Sequence, residues 1–352
     1  MSFTLLGAQS MMLGLSGQVA RNVSKVLVAF DVPNIRAYRR RVNETQTRMT
    51  TANKAKPHVS IIGTGRLGTA LAIALAHEGY SIAALVARHR QSAQRAARLL
   101  GHSLDEPSPA MAAKELADRP APELLRSRLL LIATPDDQIG YVAKTLAKLP
   151  LEAGGAATVL HTSGALSSTV LAPLRDKGWS TGSLHPLVSV SEPKAGAQLL
   201  CGAFWCVEGD RRAVRLGRTI VRDLDGKSFS ISAEKKPLYH AAAVMVSGNV
   251  TALFDVALEM LGDCGLTRSQ AQKALRPLLA SAVTNLEKLD PSRALTGTFA
   301  RGDVETVKRH LEVLKNNPPV LAIYRLLGLR SLELSGPRLD PAVVKRIKRL
   351  IG

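Results

Sequence analysis

Residues 58–68 read His-Val-Ser-Ile-Ile-Gly-Thr-Gly-Arg-Leu-Gly, an apolar run that leads into glycines spaced as Gly63-x-Gly65-x-x-Gly68. The run predicts a buried strand, and the alanine-rich segment Leu67 to His77 after it predicts a helix. At such a turn the first glycine permits a tight bend, the second lets backbone N–H groups approach a pyrophosphate, and the third allows close helix packing. The sequence therefore predicts a dinucleotide-binding turn formed by Gly63, Thr64, Gly65, Arg66, Leu67 and Gly68.

The residues after the second predicted strand indicate which dinucleotide is bound. Enzymes that use NAD commonly carry an acidic residue about 20 positions past the glycines, where it binds the ribose 2′-hydroxyl. This chain instead has Arg88 and Arg90, whose guanidinium groups favour the 2′-phosphate of NADP. NADP is therefore predicted in preference to NAD. A solvated basic loop, or a turn that binds nothing, is the alternative.

The pattern of elements along the 352 residues predicts an α/β doubly wound Rossmann sheet followed by an all-α C-terminal domain. Residues 1–56 are rich in Lys and Arg and predict a disordered extension, and one hypothesis is that translation begins at Met49. Strands and helices alternate over 57–232, which form the predicted cofactor domain. Residues 233–335 form the helical substrate and dimerisation domain, and 336–352 a basic tail helix.

Ligands of open parallel sheets bind beyond the carboxyl ends of the strands, so the residues that follow strands are the candidate site residues. The predicted strands are Val59–Ile62, Ile82–Ala87, Leu129–Ala133, Thr158–His161, Thr181–Leu184, Phe204–Val207 and Phe229–Ile231. Thr134 and Pro135 follow the strand expected beneath the nicotinamide, although capping of the next helix explains them as well. His161 and Ser163 end another strand and are expected to hold a substrate carboxylate or carbonyl, or else to shape a turn.

His185 is the strongest candidate for a catalytic group, because it precedes Pro186 and is expected in an extended loop at the cleft. Carbonyl reduction requires a proton donor for the forming alkoxide, and an imidazole suits this role near neutral pH. A structural histidine bonded to loop backbone is the alternative.

A second group of candidates lies on one long predicted helix, Pro237 to Leu261. Its polar stripe, either a cleft wall or a solvent face, comprises Lys236, His240, Ser247, Thr251 and Asp255. Lys236 or His240 is expected to polarise the carbonyl oxygen, and Ser247 to contact substrate. Asn249 lies nearly opposite this stripe and is expected to be structural, or to contact substrate if the helix kinks at Gly248. Arg301, in a polar loop, could clamp a carboxylate or pair with Asp303.

The composition of the chain limits the kinds of ligand and partner that we expect it to bind. The formal net charge is +19, but aromatic residues are only 4% of the chain, so dedicated nucleic-acid binding is not predicted. The cysteines and histidines lack ligand spacing, so no metal is expected, and three scattered cysteines favour the reducing cytoplasm. Residues 1–20 resemble neither a signal peptide nor a membrane span. The expected partners are a small-molecule substrate and a second copy in a homodimer.

Several stretches together resemble a bacterial family in which a Rossmann-like domain is joined to a domain of unknown function, DUF2520. The matching segments are Gly63–Gly68, Thr134–Ile139, His161–Leu166, Ser183–Pro186, Tyr239–Ala243 and Leu295–Asp303. Two positions depart from the family pattern: Gly248 separates Ser247 from Asn249, and Thr298 stands where proline is expected.

The resemblance implies kinship with pyrroline-5-carboxylate reductases, prephenate dehydrogenases, ketopantoate reductases and β-hydroxyacid dehydrogenases. From it and from the residues we expect an NADP-dependent oxidoreductase that reduces a small carboxylate-bearing carbonyl compound, such as a 2-oxo acid of the ketopantoate type. Its catalytic residues would be His185, Lys236, His240 and Ser163. A nucleotide-binding sensor or scaffold without turnover is the competing expectation.

Overall fold

The computed structural model describes residues 56–101, 109–118, 120–150 and 157–352. The predicted N-terminal extension and Met49 therefore lie outside the described residues, except for Lys56. Residues His58–Gly352 form one compact unit.

An eight-stranded sheet forms the first part of this unit. Its strands are β1 (Val59–Ile62), β2 (Ile82–Ala87), β3 (Ala110–Ala112), β4 (Leu129–Ile132), β5 (Thr158–His161), β6 (Ser180–Pro186), β7 (Phe204–Gly209) and β8 (Lys227–Phe229). They lie in the order β3-β2-β1-β4-β5-β6-β7-β8, and all neighbours are parallel except β6 and β7. Every residue of β1, β4 and β5 is buried, because helices cover both faces of the sheet. The predicted doubly wound fold is confirmed.

Three features of the sheet differ from the sequence prediction. Strand β3 was not predicted, because its three residues are too few to show a pattern. Strand β8 begins at Lys227, two residues before the predicted start. Strand β6 is longer than predicted, since the antiparallel β7 pairs with it as far as Pro186 and holds His185 opposite Cys206. His185 therefore lies in a strand, and the expectation of a loop was wrong.

Helices and short turns connect the strands and cover the sheet. They are α1 (Arg66–His77), α2 (Arg90–Leu100), α3 (Glu115–Asp118), α4 (Pro122–Arg126), α5 (Asp136–Leu146), α6 (Ala172–Arg175), α7 (Pro193–Leu200) and α8 (Arg211–Asp223). Helix α1 buries eight of its twelve residues, from Gly68 to Leu75. Its small side chains let α7 pack closely, to the extent that a Cβ on Gly196 would lie 3.2 Å from the Cβ of Ala70.

The second part is helical throughout, as predicted. Its helices are α9 (Lys236–Val246), α10 (Gly248–Asp263), α11 (Arg268–Lys288), α12 (Pro291–Ala294), α13 (Thr298–Arg301), α14 (Val304–Leu314), α15 (Pro318–Ser335) and α16 (Pro341–Ile351). The single helix predicted from Pro237 to Leu261 is instead two helices, because Ser247 leaves helical geometry at φ −117° and ψ −80°. Its hydroxyl donates to the carbonyl of Ala243 and competes with the backbone ladder, and Gly248 adds little helical preference.

Candidate active site

The glycine turn lies between β1 and α1 at the carboxyl edge of the sheet. Gly63 adopts φ +103°, and a Cβ there would lie 2.5 Å from the carbonyl of Ala133. A Cβ on Gly68 would lie 1.9 Å from the carbonyl oxygen of Gly63. A Cβ on Gly65, in contrast, would meet nothing within 4 Å. Packing alone therefore accounts for Gly63 and Gly68, whereas the open space beside Gly65 is free for a ligand.

The N-terminus of α1 opens onto this space. No side chain caps the helix, and its first turn has no acidic residue, so its N–H groups and the helix dipole favour an anion. The hydroxyls of Thr64 and Thr134 are buried there without a hydrogen-bond partner among the described residues. Buried hydroxyls are normally bonded, so these two also indicate an absent ligand. The residues of this turn therefore fit the diphosphate of a dinucleotide.

Two arginines follow β2, the strand that lies next to β1 and its glycine turn in the sheet. Arg88 directly follows β2 and is exposed. The Arg90 guanidinium donates to the Glu115 carboxylate at 2.8 Å, and this carboxylate also accepts a bond from the Ala112 N–H. Of the two predicted arginines, Arg90 thus has an acidic partner, whereas Arg88 is exposed, and its contact with a cofactor phosphate remains a prediction.

Lys236 begins α9 and is completely buried beneath the carboxyl ends of β5 and β6. Its ammonium donates to the Ser163 carbonyl at 2.9 Å and to the Ser183 hydroxyl at 2.7 Å. Burial lowers the pKa of this ammonium, while the nearby Cys206, Glu208 and Asp136 act in the opposite direction. These contacts tie the first turn of α9 to the sheet, so this helix holds its following residues against the strand ends.

Ser163 and His161 shape the turn after β5. The Ser163 hydroxyl donates to Asp136 at 2.8 Å and accepts bonds from the N–H groups of Ala165 and Leu166. One donor and two acceptor sites are all that a hydroxyl has, so Ser163 has no free bond for a substrate. His161 is fully buried, and its Nδ1 accepts a bond from the Ser163 N–H. Ser163 therefore has a structural explanation. The expected contact of Ser163 and His161 with substrate remains a prediction.

Two imidazoles converge on the space beside Gly164. A Cβ on this glycine would lie 2.2 Å from His240 Nδ1 and 2.8 Å from His185 Nε2, so only glycine leaves room for both rings. His240 Nδ1 is buried without a hydrogen-bond partner among the described residues. The centroids of the two rings are 5.6 Å apart, and the ring planes are nearly perpendicular. The structure thus brings together His185 and His240, which the sequence placed in separate elements.

Tyr239 completes this cluster. Its hydroxyl lies 2.6 Å from His185 Nδ1. Burial and the adjacent Lys236 ammonium lower the pKa of His185 to about 3, and the same two causes lower that of His161 to about 4. Burial raises the pKa of the Tyr239 phenol. At neutral pH the His185 imidazole is therefore neutral and the Tyr239 phenol is protonated. When this phenol donates to His185 Nδ1, the imidazole proton is on Nε2, next to Gly164.

Glu208 on β7 stabilises the loop that follows β5, a role that the sequence did not predict. Its buried carboxylate accepts bonds from the Ser168 N–H at 2.6 Å and from the Ser168 hydroxyl at 2.9 Å. It thereby fixes the end of the loop that carries Ser163 and Gly164. No sequence signal could reveal this contact, because the partners are 40 residues apart. Tyr239 and Asp136 were also missed as site residues, although both lie within the motifs that carry the family resemblance.

Replacing Glu208 by alanine is expected to destabilise the protein by about 3 kcal/mol, because the buried N–H and hydroxyl of Ser168 would lose their acceptor. Urea unfolding measures this change. The matched control is Glu312→Ala, which removes a carboxylate on the exposed face of α14 and should alter stability by less than about 0.5 kcal/mol. Equal stabilities of the two variants would contradict the supporting role of Glu208.

Three predicted substrate residues lie apart from this cluster. Ser247 and Asn249 are exposed, and Ser247 is seven residues beyond His240, or about 10 Å along a helix. Two other members of the polar stripe predicted on this helix also have partners within the chain. Thr251 donates to the Ser247 carbonyl, and Asp255 forms an ion pair with Arg268. Arg301 ends α13, where it lies near Asp303, the residue that caps α14. The structure does not bring Ser247, Asn249 or Arg301 to the two imidazoles, and their roles remain predictions.

Among the described residues, no group of three His, Cys, Asp or Glu side chains is placed to hold a metal ion.

The comparisons with known proteins agree with this architecture. The family model of a Rossmann-like domain matches residues 43–186, and that of a domain of unknown function, DUF2520, matches residues 203–331. This chain joins a Rossmann-like domain to a DUF2520 domain. The predicted family resemblance is confirmed. No curated protein matches the chain.

Solved structures share the fold of this Rossmann-like/DUF2520 chain at low identity. A Bacteroides fragilis protein, provisionally described as an NADP oxidoreductase, is 21% identical with a TM-score of 0.65, and the match covers 79% of this chain and 99% of that one. Protein TM1727 from Thermotoga maritima is 22% identical, with a TM-score of 0.60 and coverages of 80% and 99%. A pyrroline-5-carboxylate reductase from Coxiella burnetii is 15% identical, with a TM-score of 0.51 and coverages of 84% and 98%.

Proposed function

We propose that this protein is an NADP-dependent reductase of a small carboxylate-bearing carbonyl compound, such as a 2-oxo acid of the ketopantoate type. The observation that carries the proposal is the open space at Gly65 in front of the uncapped N-terminus of α1. The fold is shared with a protein described as an NADP oxidoreductase and with a pyrroline-5-carboxylate reductase, which supports a redox function. The net charge of +19 favours an anionic cofactor and an anionic substrate.

In this proposal the backbone of Gly63–Gly68 holds the diphosphate, the buried hydroxyls of Thr64 and Thr134 contact the same cofactor, and Arg88 meets the 2′-phosphate. Bound NADPH would supply the hydride for the carbonyl carbon. The preference for NADP over NAD rests on Arg88, because no acidic side chain follows β2 to accept a bond from a ribose hydroxyl.

In this proposal His185 provides the proton, and Tyr239 replaces it. The carbonyl oxygen of the substrate would lie beside Gly164, within reach of His185 Nε2 and His240 Nδ1. As negative charge develops on that oxygen, the Nε2–H of His185 is transferred to it, and His185 Nδ1 takes the phenolic proton of Tyr239. Solvent then restores the phenol. Lys236 takes no proton in this scheme, since its bonds to Ser163 and Ser183 are internal, but its charge keeps His185 from binding a second proton.

The competing candidate is a nucleotide-binding sensor with the same fold and no turnover. The full use of the Ser163 hydroxyl in its own turn favours this alternative, because it removes one predicted substrate contact. The two candidates differ in a single measurement, the oxidation of NADPH.

Oxidation of NADPH is to be followed by absorbance with a panel of 2-oxo acids, with NADH in parallel. We expect turnover of at least one acid, with a higher kcat/KM for NADPH than for NADH. Tyr239→Phe should lower kcat by about 100-fold, because it removes the phenolic proton that replaces the one donated by His185. The variant should leave the Kd for NADPH unchanged.

The matched control for this variant is Tyr324→Phe. Tyr324 lies 2.7 Å from His310 Nδ1, so it forms the same tyrosine–histidine pair within the C-terminal helices. This control should retain the activity of the unmodified protein. Binding of NADPH without turnover of any acid would overturn the reductase proposal in favour of the sensor, and equal losses in the two tyrosine variants would refute the proton route.

A further inference from the structure

The solvent-facing side of α8 carries only positive charge. The arginines of this helix are all exposed: Arg211, Arg212, Arg215, Arg218 and Arg222. Every one except Arg212 follows the previous one after three or four residues, so these four lie within about 60° of one another around the helix axis. The arginine stripe, as defined here, consists of these four residues: Arg211, Arg215, Arg218 and Arg222.

The opposite side of α8 packs on the sheet and fixes the orientation of the arginine stripe. Its buried residues are Ala213, Gly217, Ile220 and Val221. A Cβ on Gly217 would lie 2.9 Å from a methyl carbon of Val207 on β7, so the helix backbone lies close to the sheet. The stripe runs over eleven residues from its first arginine to its last, or about 16 Å along the helix axis.

The arginine stripe has no acidic partner in the part of the chain that the structure describes. None of its arginines forms an ion pair with a described residue. Arg218 and Arg222 donate instead to the hydroxyls of Ser230 and Thr219. The single acidic residue within α8, Asp223, accepts a bond from a buried tyrosine hydroxyl. The positive charge of the stripe is therefore available to a partner.

This arrangement is unfavourable for α8 itself. Like charges three or four residues apart on a helix repel one another, and the stripe contains three such pairs. Arg211 is also the first residue of α8, at the end where the helix dipole is positive. On α14 and α15, in contrast, Lys308 and Arg330 each pair with a glutamate three residues away. An anionic partner would relieve the repulsion on α8, so the stripe is complementary to a polyanion.

The regular spacing of the arginine stripe favours a nucleic-acid backbone as that polyanion. One strand of a duplex presents a phosphate about every 3.4 Å along its axis, so the stripe can face about five phosphates. Guanidinium groups bind phosphate in a bidentate fork, and the net charge of +19 adds long-range attraction. The low aromatic content argues against stacking on bases. It does not argue against contact with the backbone, because phosphate contacts need no aromatic side chain.

A lipid bilayer fits α8 less well. Helices that lie on a membrane surface insert their apolar side among the lipids. The apolar side of α8 is instead buried against the sheet. The described stretch that is long and apolar enough to cross a membrane, Ala233–Asp263, belongs to the C-terminal helices and not to α8.

We propose that the arginine stripe binds the phosphate backbone of duplex nucleic acid without reading its sequence. Binding rests on charge and on hydrogen bonds from guanidinium groups to phosphates, so salt weakens it. The proposal does not depend on the reductase function, since it concerns the binding of a polyanion and not turnover.

Fluorescence anisotropy of a labelled DNA duplex of about 20 bp, titrated with the full chain at several salt concentrations, tests the proposal. We expect log Kd to rise with log salt concentration at a slope of about 3.6 or more, since each neutralised phosphate contributes about 0.9. Arg211→Gln combined with Arg215→Gln should raise Kd at least about 10-fold and lower this slope by about 1.8.

The matched control combines Arg330→Gln with Arg346→Gln, because these exposed arginines of the C-terminal helices are paired with glutamates. It removes the same amount of charge, so the comparison separates α8 from the general basicity of the chain. The control should keep Kd within about 2-fold of the wild-type value.

Absence of duplex binding by the wild-type chain would overturn the proposal, and so would a loss that is no greater in the α8 variant than in the control. Binding to poly-glutamate or to phosphatidylserine-containing vesicles, but not to the duplex at the same salt concentration, would assign the stripe to an acidic protein or to a membrane instead. Circular dichroism establishes whether each variant folds. If the α8 variant does not, phenylglyoxal labelling of the wild-type chain decides: protection of the stripe by the duplex supports the proposal, and equal labelling with and without the duplex refutes it.

Discussion

A Gly65→Ala variant is expected to bind NADPH at least about 100-fold more weakly, because its new methyl group would occupy the space in which the backbone meets the diphosphate. The cofactor-free protein should lose no more than about 1 kcal/mol of stability. Gly65 has φ −73°, which alanine adopts freely, and its Cβ would have no neighbour within 4 Å. Calorimetric titration with NADPH and urea unfolding without it measure the two effects.

The matched variant is Gly68→Ala, at the other end of the same turn. Its Cβ would lie 1.9 Å from the Gly63 carbonyl oxygen and 3.2 Å from the Ala133 Cβ. Since one neighbour is backbone and the other a short side chain, neither can move aside alone. The turn must shift, and we expect a loss of about 3 kcal/mol or more in stability. An unchanged Kd in Gly65→Ala would show that this turn does not hold the cofactor, and an unchanged stability in Gly68→Ala would contradict the close packing.

The second large effect is an acid sensitivity that arises from two buried histidines. The pKa of His185 is about 3 and that of His161 about 4 in the folded protein, both well below the ordinary 6.5. Between those values and 6.5 the unfolded chain binds a proton at each histidine and the folded protein does not. Stability therefore falls as the pH is lowered through this window. Together the two histidines are expected to lower the free energy of unfolding by about 3 kcal/mol when the pH is lowered from 6.5 to 5.

Urea unfolding at pH steps within this window provides the measurement. A His185→Gln variant should show about half the loss of the wild-type protein, because only His161 would then contribute. Working above pH 5 keeps most carboxylates ionised in both states, so the histidines dominate the slope. If stability were the same at pH 6.5 and pH 5, these histidines would have to bind protons equally well in the folded and unfolded states, and the buried, neutral imidazoles described above would be wrong.

The fold was largely predictable because its signals are local. The apolar runs of β1, β2, β4 and β5 and the glycines after β1 mark the sheet and its ligand edge directly in the chain. Helices α11, α14 and α16 each begin directly after a residue whose side chain caps the helix, namely Thr267, Asp303 and Asp340, and such caps are also local signals. The sequence analysis considered a break in this helix only as a possible kink at Gly248 that would reorient Asn249. It did not predict the break itself, because one serine and one glycine do not by themselves end an apolar helix.

The site was predictable only in part. His185 and His240 were each chosen for their chemistry, but their meeting at Gly164 depends on how β6 and α9 pack, which no periodicity encodes. Ser163 carries a reactive type of side chain, yet three bonds within its own turn account for it completely. Tyr239 went unnoticed because a tyrosine on an apolar helix is ordinarily a packing residue.

The sequence by itself determined the strand that leads into the glycine turn, the order of the domains and the basic residue after β2, because each depends on neighbours along the chain. Only the tertiary structure decided which glycine leaves room for a ligand, which histidines meet, and that the ammonium of Lys236 faces inward to Ser163 and Ser183. The two bonds of Lys236, for example, join residues that are 73 and 53 positions apart in the chain. Such contacts follow from the packing of the whole sheet and are not contained in any local pattern.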